Sequence, residues 1–405
     1  MLEPHPLSSI EDVNERLRSD GAILFHDVGV SDARSFEEFA GRHISEWMGY
    51  QDRATKRGHI EGHVHTSTDT SPAFSIALHC ESSFTSRWPQ KIFFYCHSAP
   101  TSGGRTPICD VRCVYRDIDP GIRAKFERLG VMYFRNFGKG VGMDWREVFQ
   151  KADRQSVDAY CASHAIHTEW LDDDRLRTIQ VRPATLMHPI VGQTVWFNHA
   201  LALHKSSLAD SLMKTLMRQR GESYLPHNAY YGSGEPIPSE VIQHIRDVHN
   251  RHTILFDWRP GDVLMLDNML MAHGREPYEG ERVVYAAMAD PLTWQEVGIE
   301  LTVPKAIPKI IDSETSKAKD HNLAYVEQGD KEFSRWFLKA VATELQMETV
   351  DGTDCFSAIG GDSLAGVTLI SEVFDRYGVD LSLETLMESE TIDSVLDEVR
   401  SQRSR

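Results

Sequence analysis

His79 and Glu81, two positions apart in Leu78-His79-Cys80-Glu81, are the first residues of this 405-residue chain whose types and spacing point to chemistry. Alternate residues of a strand face the same way, so both side chains can reach one pocket. A donor from a distant strand would close one face of a metal ion, and His273, in Met271-Ala272-His273-Gly274-Arg275, has a similar setting. Two imidazoles and one carboxylate on one face, with the opposite positions open, are the donor set of a non-haem Fe(II) oxygenase site. A bare His-x-Glu is also what a structural histidine beside a surface carboxylate looks like. Nine residues after His273, Arg282 opens an apolar run. An arginine there can hold a carboxylate by a bidentate, charge-assisted pair. A zinc hydrolase would also use His79 and His273, but it leaves Arg282 and Gly103-Gly104-x-Thr106 unexplained. His63-x-His65 alternates in the same way and either binds metal or lines a substrate pocket. Trp196-Phe197-Asn198-His199 reads as substrate contact or core, and Arg275 as a substrate-facing or solvated cation.

The elements that must position these residues read as short strands. Residues 76–78, 91–96 and 106–111 are strand-like, with Trp88-Pro89 and Ser102-Gly103-Gly104 as breakers. Short strands with such punctuation predict an antiparallel barrel or sandwich. Upstream, Ser9 is placed to cap a helix over 10–18 that ends at Asp20-Gly21, followed by a strand over 22–25 and a helix over 33–47. Residues 120–178 read as helical and mixed, an insertion between strands. Strands resume at 179–181, 194–197, 253–258 and 262–266, with Arg259-Pro260-Gly261-Asp262 as a turn, and end at 283–289.

Pro304, Pro308 and a polar run over 312–320 mark residues 303–330 as a linker. As a flexible coil it would span roughly 25–30 Å. Beyond it Phe333, Phe337, Val341 and Leu345 share a helical face, and helical periods continue over 364–374 and 392–399. Residues 331–405 thus read as a small helical bundle, with 7 basic and 15 acidic residues, a net of −8 out of −17 for the whole chain.

That overall charge argues against nucleic acid or an anionic membrane as partner, since both reward basic patches. No apolar run approaches the ~18 residues of a membrane span, and Met1-Leu2-Glu3-Pro4 begins no secretory pattern. Six scattered cysteines without a C-x-x-C pair fit a reducing cytoplasm, the expected location.

From about residue 66 to 291 the chain resembles the taurine dioxygenase/TfdA-like Fe(II)/2-oxoglutarate enzymes, in the branch found in nonribosomal peptide pathways. The residues that carry the resemblance are Leu78-His79-Cys80-Glu81-Ser82-Ser83-Phe84, Trp88-Pro89, Phe93-Phe94-Tyr95-Cys96, Gly103-Gly104-Arg105-Thr106-Pro107, Asp110-Val111-Arg112, Trp196-Phe197-Asn198, Asp267-Asn268 and His273-Gly274-Arg275-Glu276-Pro277. The resemblance implies an α+β fold, a double-stranded β-helix (jelly roll) with helical insertions. It also implies His79, Glu81 and His273 as the catalytic iron ligands, with Arg282 and Thr106 on the far carboxylate of 2-oxoglutarate. In such enzymes O2 and 2-oxoglutarate give succinate, CO2 and usually a hydroxylated product. Related halogenases carry Ala or Gly where Glu81 stands, so chloride can bind iron; here hydroxylation is favoured, with epoxidation, desaturation and ring closure open. One departure is Ala286, where the family often has a second arginine.

Ile359-Gly360-Gly361-Asp362-Ser363-Leu364 resembles the attachment site of acyl and peptidyl carrier proteins, over about residues 332–400. Ser363 would carry 4'-phosphopantetheine, and a helix N-terminus suits that phosphate. The plain alternative is Asp362 or Ser363 as a helix cap. The combined expectation is an oxygenase over 1–302, a linker over 303–330 and a four-helix carrier over 331–405, oxidising a tethered aminoacyl group. Its expected partners are a phosphopantetheinyl transferase, an adenylating enzyme that loads Ser363 in trans and other nonribosomal peptide enzymes. An oxygenase for a free small molecule and a non-catalytic scaffold with a working carrier remain as alternatives.

Overall fold

Arg87–Ser98 is a strand whose residues Ile92 to Cys96 are all buried, so both faces need cover and its place is inside a sheet. The computed structural model describes residues 10–49, 58–68, 70–138, 142–171, 174–208, 213–214, 216–217, 221–304, 330–345, 347–361, 363–379 and 381–403. It sets that strand in a six-stranded antiparallel sheet, in the order Ala22–Phe25, Val263–Asp267, Arg87–Ser98, Val283–Thr293, Val64–Thr66, His59–Glu61. Phe93, Tyr95, Met265 and Ala287 pack on one face beneath helices Ile10–Asp20 and Ala33–Gly41. The second helix opens with a capping box in which the Ser35 N–H donates to Asp32 Oδ1 at 2.8 Å. It ends at Gly41, short of the expected residue 47.

The other face, with Ile92, Phe94, Cys96, Leu264 and Val284, shares its core with a second antiparallel sheet. That sheet runs Thr253–Ile254, Ile108–Asp110, Met271–Arg275, Ile76–His79. Two antiparallel sheets across one core make a jelly-roll type of fold.

The stretch over 120–178 is less helical than its sequence reads. Besides helices Pro120–Leu129, Trp145–Phe149 and Arg154–Ser163 it holds strands Val131–Phe137 and His167–Trp170 and the start of Leu176–Arg182. With His227–Tyr231 these form a third, four-stranded sheet. Every residue of Val131–Phe137 is buried, so the strand has no polar alternation to reveal its period. Its Val131 and Tyr133 join the jelly-roll core.

Near the C-terminus, helices Asp330–Glu344, Ser363–Tyr377, Leu383–Glu388 and Ile392–Arg403 bury Phe333, Phe337, Leu369, Val373, Leu386 and Val395 in a core of their own. Most of the expected linker, 305–329, lies outside the described residues, as does Asp362. No helix among the described residues is long and apolar enough to cross a membrane.

Candidate metal centre

Ile76–His79 and Met271–Arg275 are neighbours in the second sheet, and His79 pairs directly with His273. Directly paired residues face the same way, and the two ring centroids lie 4.6 Å apart. Glu81 follows the strand end, where Ser82 turns the chain at φ +57°. Asn268 clamps that turn from 187 positions away: the Glu81 N–H donates to Asn268 Oδ1 at 2.7 Å. In return Asn268 Nδ2 donates to the Glu81 carbonyl at 2.9 Å and to the Pro89 carbonyl at 2.8 Å.

Held this way, Glu81 Oε2 lies 3.8 Å from Nε2 of both His79 and His273. Those separations are too long for hydrogen bonds, and all three donors lie within 4.8 Å of one another. A divalent ion that draws each to ~2.1 Å would close the gap. The Nδ1–H of His79 donates to the Ala77 carbonyl at 2.8 Å, which leaves the Nε2 lone pair for a metal. Among the described residues this is the one group of three such side chains placed to hold an ion.

Ile108 pairs with His273, and two positions before it Thr106 belongs to a group of donors suited to an anion. Gly103 and Gly104 have φ of +68° and +67°, and a Cβ at Gly104 would meet Pro100 Cγ at 2.7 Å and Arg282 Cδ at 3.0 Å. With no side chain there, Arg282 crosses the turn: its Nε–H donates to the Gly104 carbonyl at 2.8 Å and Nη2 reaches Thr106 Oγ1 at 3.3 Å. Trp258 Nε1 donates to the same hydroxyl at 3.0 Å. Burial first, then the nearby Arg275, push the Arg282 guanidinium down to about 10. Its partners are neutral, so a carboxylate would relieve a desolvated cation. A dicarboxylate with one end on the metal fits this donor set.

Other candidates part company here. Arg275 is neither substrate-facing nor solvated: it donates to the carbonyls of Thr70, Ser71 and Phe74 at 2.6–2.8 Å. His63 bonds Glu37 through Nδ1 at 2.7 Å and stacks on Trp47, while His65 pairs with Ala286 in the large sheet. They share no metal site because His63 lies in the turn before the strand that holds His65. Trp196 and Phe197 are core, packed on Phe126 and Trp88. His199 instead lies edge-on to His79, with centroids 4.9 Å apart. Ala286 is fully buried between Phe94 and His65 in the sheet register, so no cation replaces the missing arginine at that position.

The roles of Asn268 and Trp258 escape sequence reasoning. Asn268 stands in the Asp267-Asn268 pair shortly before His273, and a fully buried amide there signals a fixed backbone contact.

Ser363 is the first residue of its 15-residue helix. Just before it, a Cβ at Gly361 would lie 2.4 Å from the Phe356 ring, so only glycine lets the motif lie against that ring.

The family model for taurine catabolism dioxygenase TauD, TfdA family, matches residues 2–288, and the one for a phosphopantetheine attachment site matches 335–399. The dapdiamide synthesis protein DdaC of Enterobacter agglomerans is 40% identical over 280 residues, 69% of this chain and 85% of that protein. A clavaminate synthase-like protein of Arabidopsis thaliana is 26% identical over 283 residues, 67% of this chain and 82% of that protein. The crystal structure of PvcB from Pseudomonas aeruginosa covers 70% of this chain and 80% of its own at 12% identity, with a TM-score of 0.42, a likeness too loose to bear on the reaction. The chain belongs to the TauD/TfdA family of Fe(II)- and 2-oxoglutarate-dependent dioxygenases, joined to a C-terminal phosphopantetheine attachment domain.

Proposed function

We propose that residues 1–302 hydroxylate, at the β-carbon, an aminoacyl group carried as a thioester by a four-helix carrier over residues 331–405, with 303–330 as linker. What carries this reading is the presence, in one chain, of the His79/Glu81/His273 cluster, the Arg282 anion-binding group and a Gly-Gly-Asp-Ser motif at a helix start. Iron held by those three residues, with 2-oxoglutarate and O2, supplies the oxidation: R–H, 2-oxoglutarate and O2 become R–OH, succinate and CO2.

The protein groups have separate tasks. Arg282 and Thr106 hold the far carboxylate of 2-oxoglutarate, and Trp258 orients Thr106. Glu81 completes the donor set and takes the place a halide would need. Asn268 keeps Glu81 there, and Phe94 covers His273 with ring centroids 5.1 Å apart. Ser363 carries phosphopantetheine through a phosphodiester at the helix N-terminus.

On this reading a phosphopantetheinyl transferase modifies Ser363, an adenylating enzyme loads it in trans, and other nonribosomal peptide enzymes consume the product, all in the cytoplasm. The 40% identity to a dapdiamide synthesis protein supports a biosynthetic setting. The acidic excess of residues 331–405 suits docking to basic partner surfaces. Loading the holo-chain with candidate adenylating enzymes and following succinate tests the proposal. Succinate formed only with the aminoacylated chain supports it. Equal turnover of free amino acid, or refusal of every acyl group, overturns it.

A further inference from the structure

His199 is 5% exposed and wedged between His79 and Phe84, each with its ring centroid 4.9 Å away. Three other groups fix it. Its backbone N–H donates to the Tyr133 hydroxyl at 2.8 Å, and its Nδ1 lies 3.2 Å from both the Cys80 carbonyl and Ser83 Oγ. A carbonyl oxygen only accepts, and a bare Nδ1 would set lone pair against lone pair. Nδ1 therefore carries the proton, and Nε2 is left as an acceptor.

Among the described residues that Nε2 has no hydrogen-bond partner, and the polar contacts of this ring run through Nδ1. His199 is only 5% exposed, yet Nε2 is not among the fully buried atoms that lack a partner, so this acceptor keeps open surface that a ligand can reach. The residues that hold His199, Cys80 and Ser83, flank Glu81 and lie on the turn that bears it. The groups that hold Arg282, namely Gly104 and Thr106, make no bond to His199. The groups that hold Arg282 and those that hold His199 are thus two separate sets.

Resting on the tethered-substrate reading above, we infer that His199 is a specificity-determining residue whose Nε2 accepts a hydrogen bond from an N–H of the acyl group, the α-ammonium of an aminoacyl thioester. It holds the substrate beside the metal centre by a contact that a simple acyl chain cannot make.

The test uses the full holo-chain loaded either with an aminoacyl group or with the same acyl group lacking its amino group. The unaltered chain prefers the amino form by at least about 100-fold, as sites built to bond an N–H do. His199→Phe keeps the ring and removes the acceptor, so the preference falls to a few-fold and succinate outruns oxidised product. His199→Gln returns an acceptor oxygen and recovers part of the preference. In both variants the visible absorption of the anaerobic Fe(II)·2-oxoglutarate complex stays unchanged. Full preference retained in His199→Phe overturns the inference while the tethered-substrate reading stands. Loss of the absorption in both variants also overturns it, because His199 then merely supports His79. If the unaltered chain oxidises neither loaded form, the tethered-substrate reading falls and takes this inference with it.

Discussion

The two regions of the chain place their chemistry in opposite settings. The jelly-roll region holds its reactive groups inside: Arg182, His188, Asn268, His273 and Arg275 are all at most 5% exposed. In the helical region Ser371 is the one buried polar residue among those described, and Ser363, the proposed attachment point, starts a helix. All 19 histidines precede residue 322, and residues 331–405 contain none. Converging three metal donors and an unneutralised cation needs dry, rigid surroundings, and strands from distant parts of the sequence supply them. A single phosphodiester needs only free backbone N–H groups and water. Damage to one setting should therefore leave the other intact.

The largest separation is expected from Glu81→Ala or His273→Ala. Either abolishes iron binding and succinate formation, yet intact mass should show Ser363 fully phosphopantetheinylated. A variant that also loses that modification would break the comparison.

Acid should divide the regions next. Burial holds His199 down at about 3, and His204, His227 and His249 at about 4, against an ordinary 6.5. They stay neutral when folded and take protons when unfolded. The stability they lend is complete above pH 6.5 and is lost as pH falls towards 4, by up to about 1.4 kcal/mol per pH unit for each group. The helical region has no histidine to titrate in that window. Calorimetry between about pH 7 and pH 5 should show the jelly-roll transition moving down while the helical one holds. Parallel movement of both would contradict the assignment.

A smaller effect is expected from Asn268→Ala, which removes both directions of the clamp on Glu81. Iron affinity should drop about 10–100-fold, as for other groups that orient a ligand, measured by titration with Fe(II). The smallest is Ser382→Ala, which loses the cap that accepts from the Thr385 N–H at 2.9 Å. It should cost the helical region about 1 kcal/mol and leave Fe(II) and 2-oxoglutarate affinities unchanged.

The regions also differ in how far their sequences reveal them. The carrier motif is local: the glycines, the serine and the helix after it are contiguous, and its core repeats at helical spacing. In the jelly roll, His79-x-Glu81 is visible as a pair, but nothing in spacing alone links it to His273, which pairs with it through the sheet register. That link rests on the family resemblance. The clamp by Asn268, the cross-turn reach of Arg282 and the carbonyl grip of Arg275 join residues 178–205 positions apart in chain order only because strands bring them together. The third sheet was hidden for a different reason, since a strand buried on both faces lacks alternation.

The central claim is that the chain oxidises what it carries. Its most direct test is the intact mass of holo-chain loaded with an amino acid, before and after Fe(II), 2-oxoglutarate and O2 are added. The account predicts that the phosphopantetheine arm gains the mass of one oxygen atom with one succinate per oxidised chain. An unchanged mass, with 2-oxoglutarate consumed no faster than by the unloaded holo-chain, would contradict it.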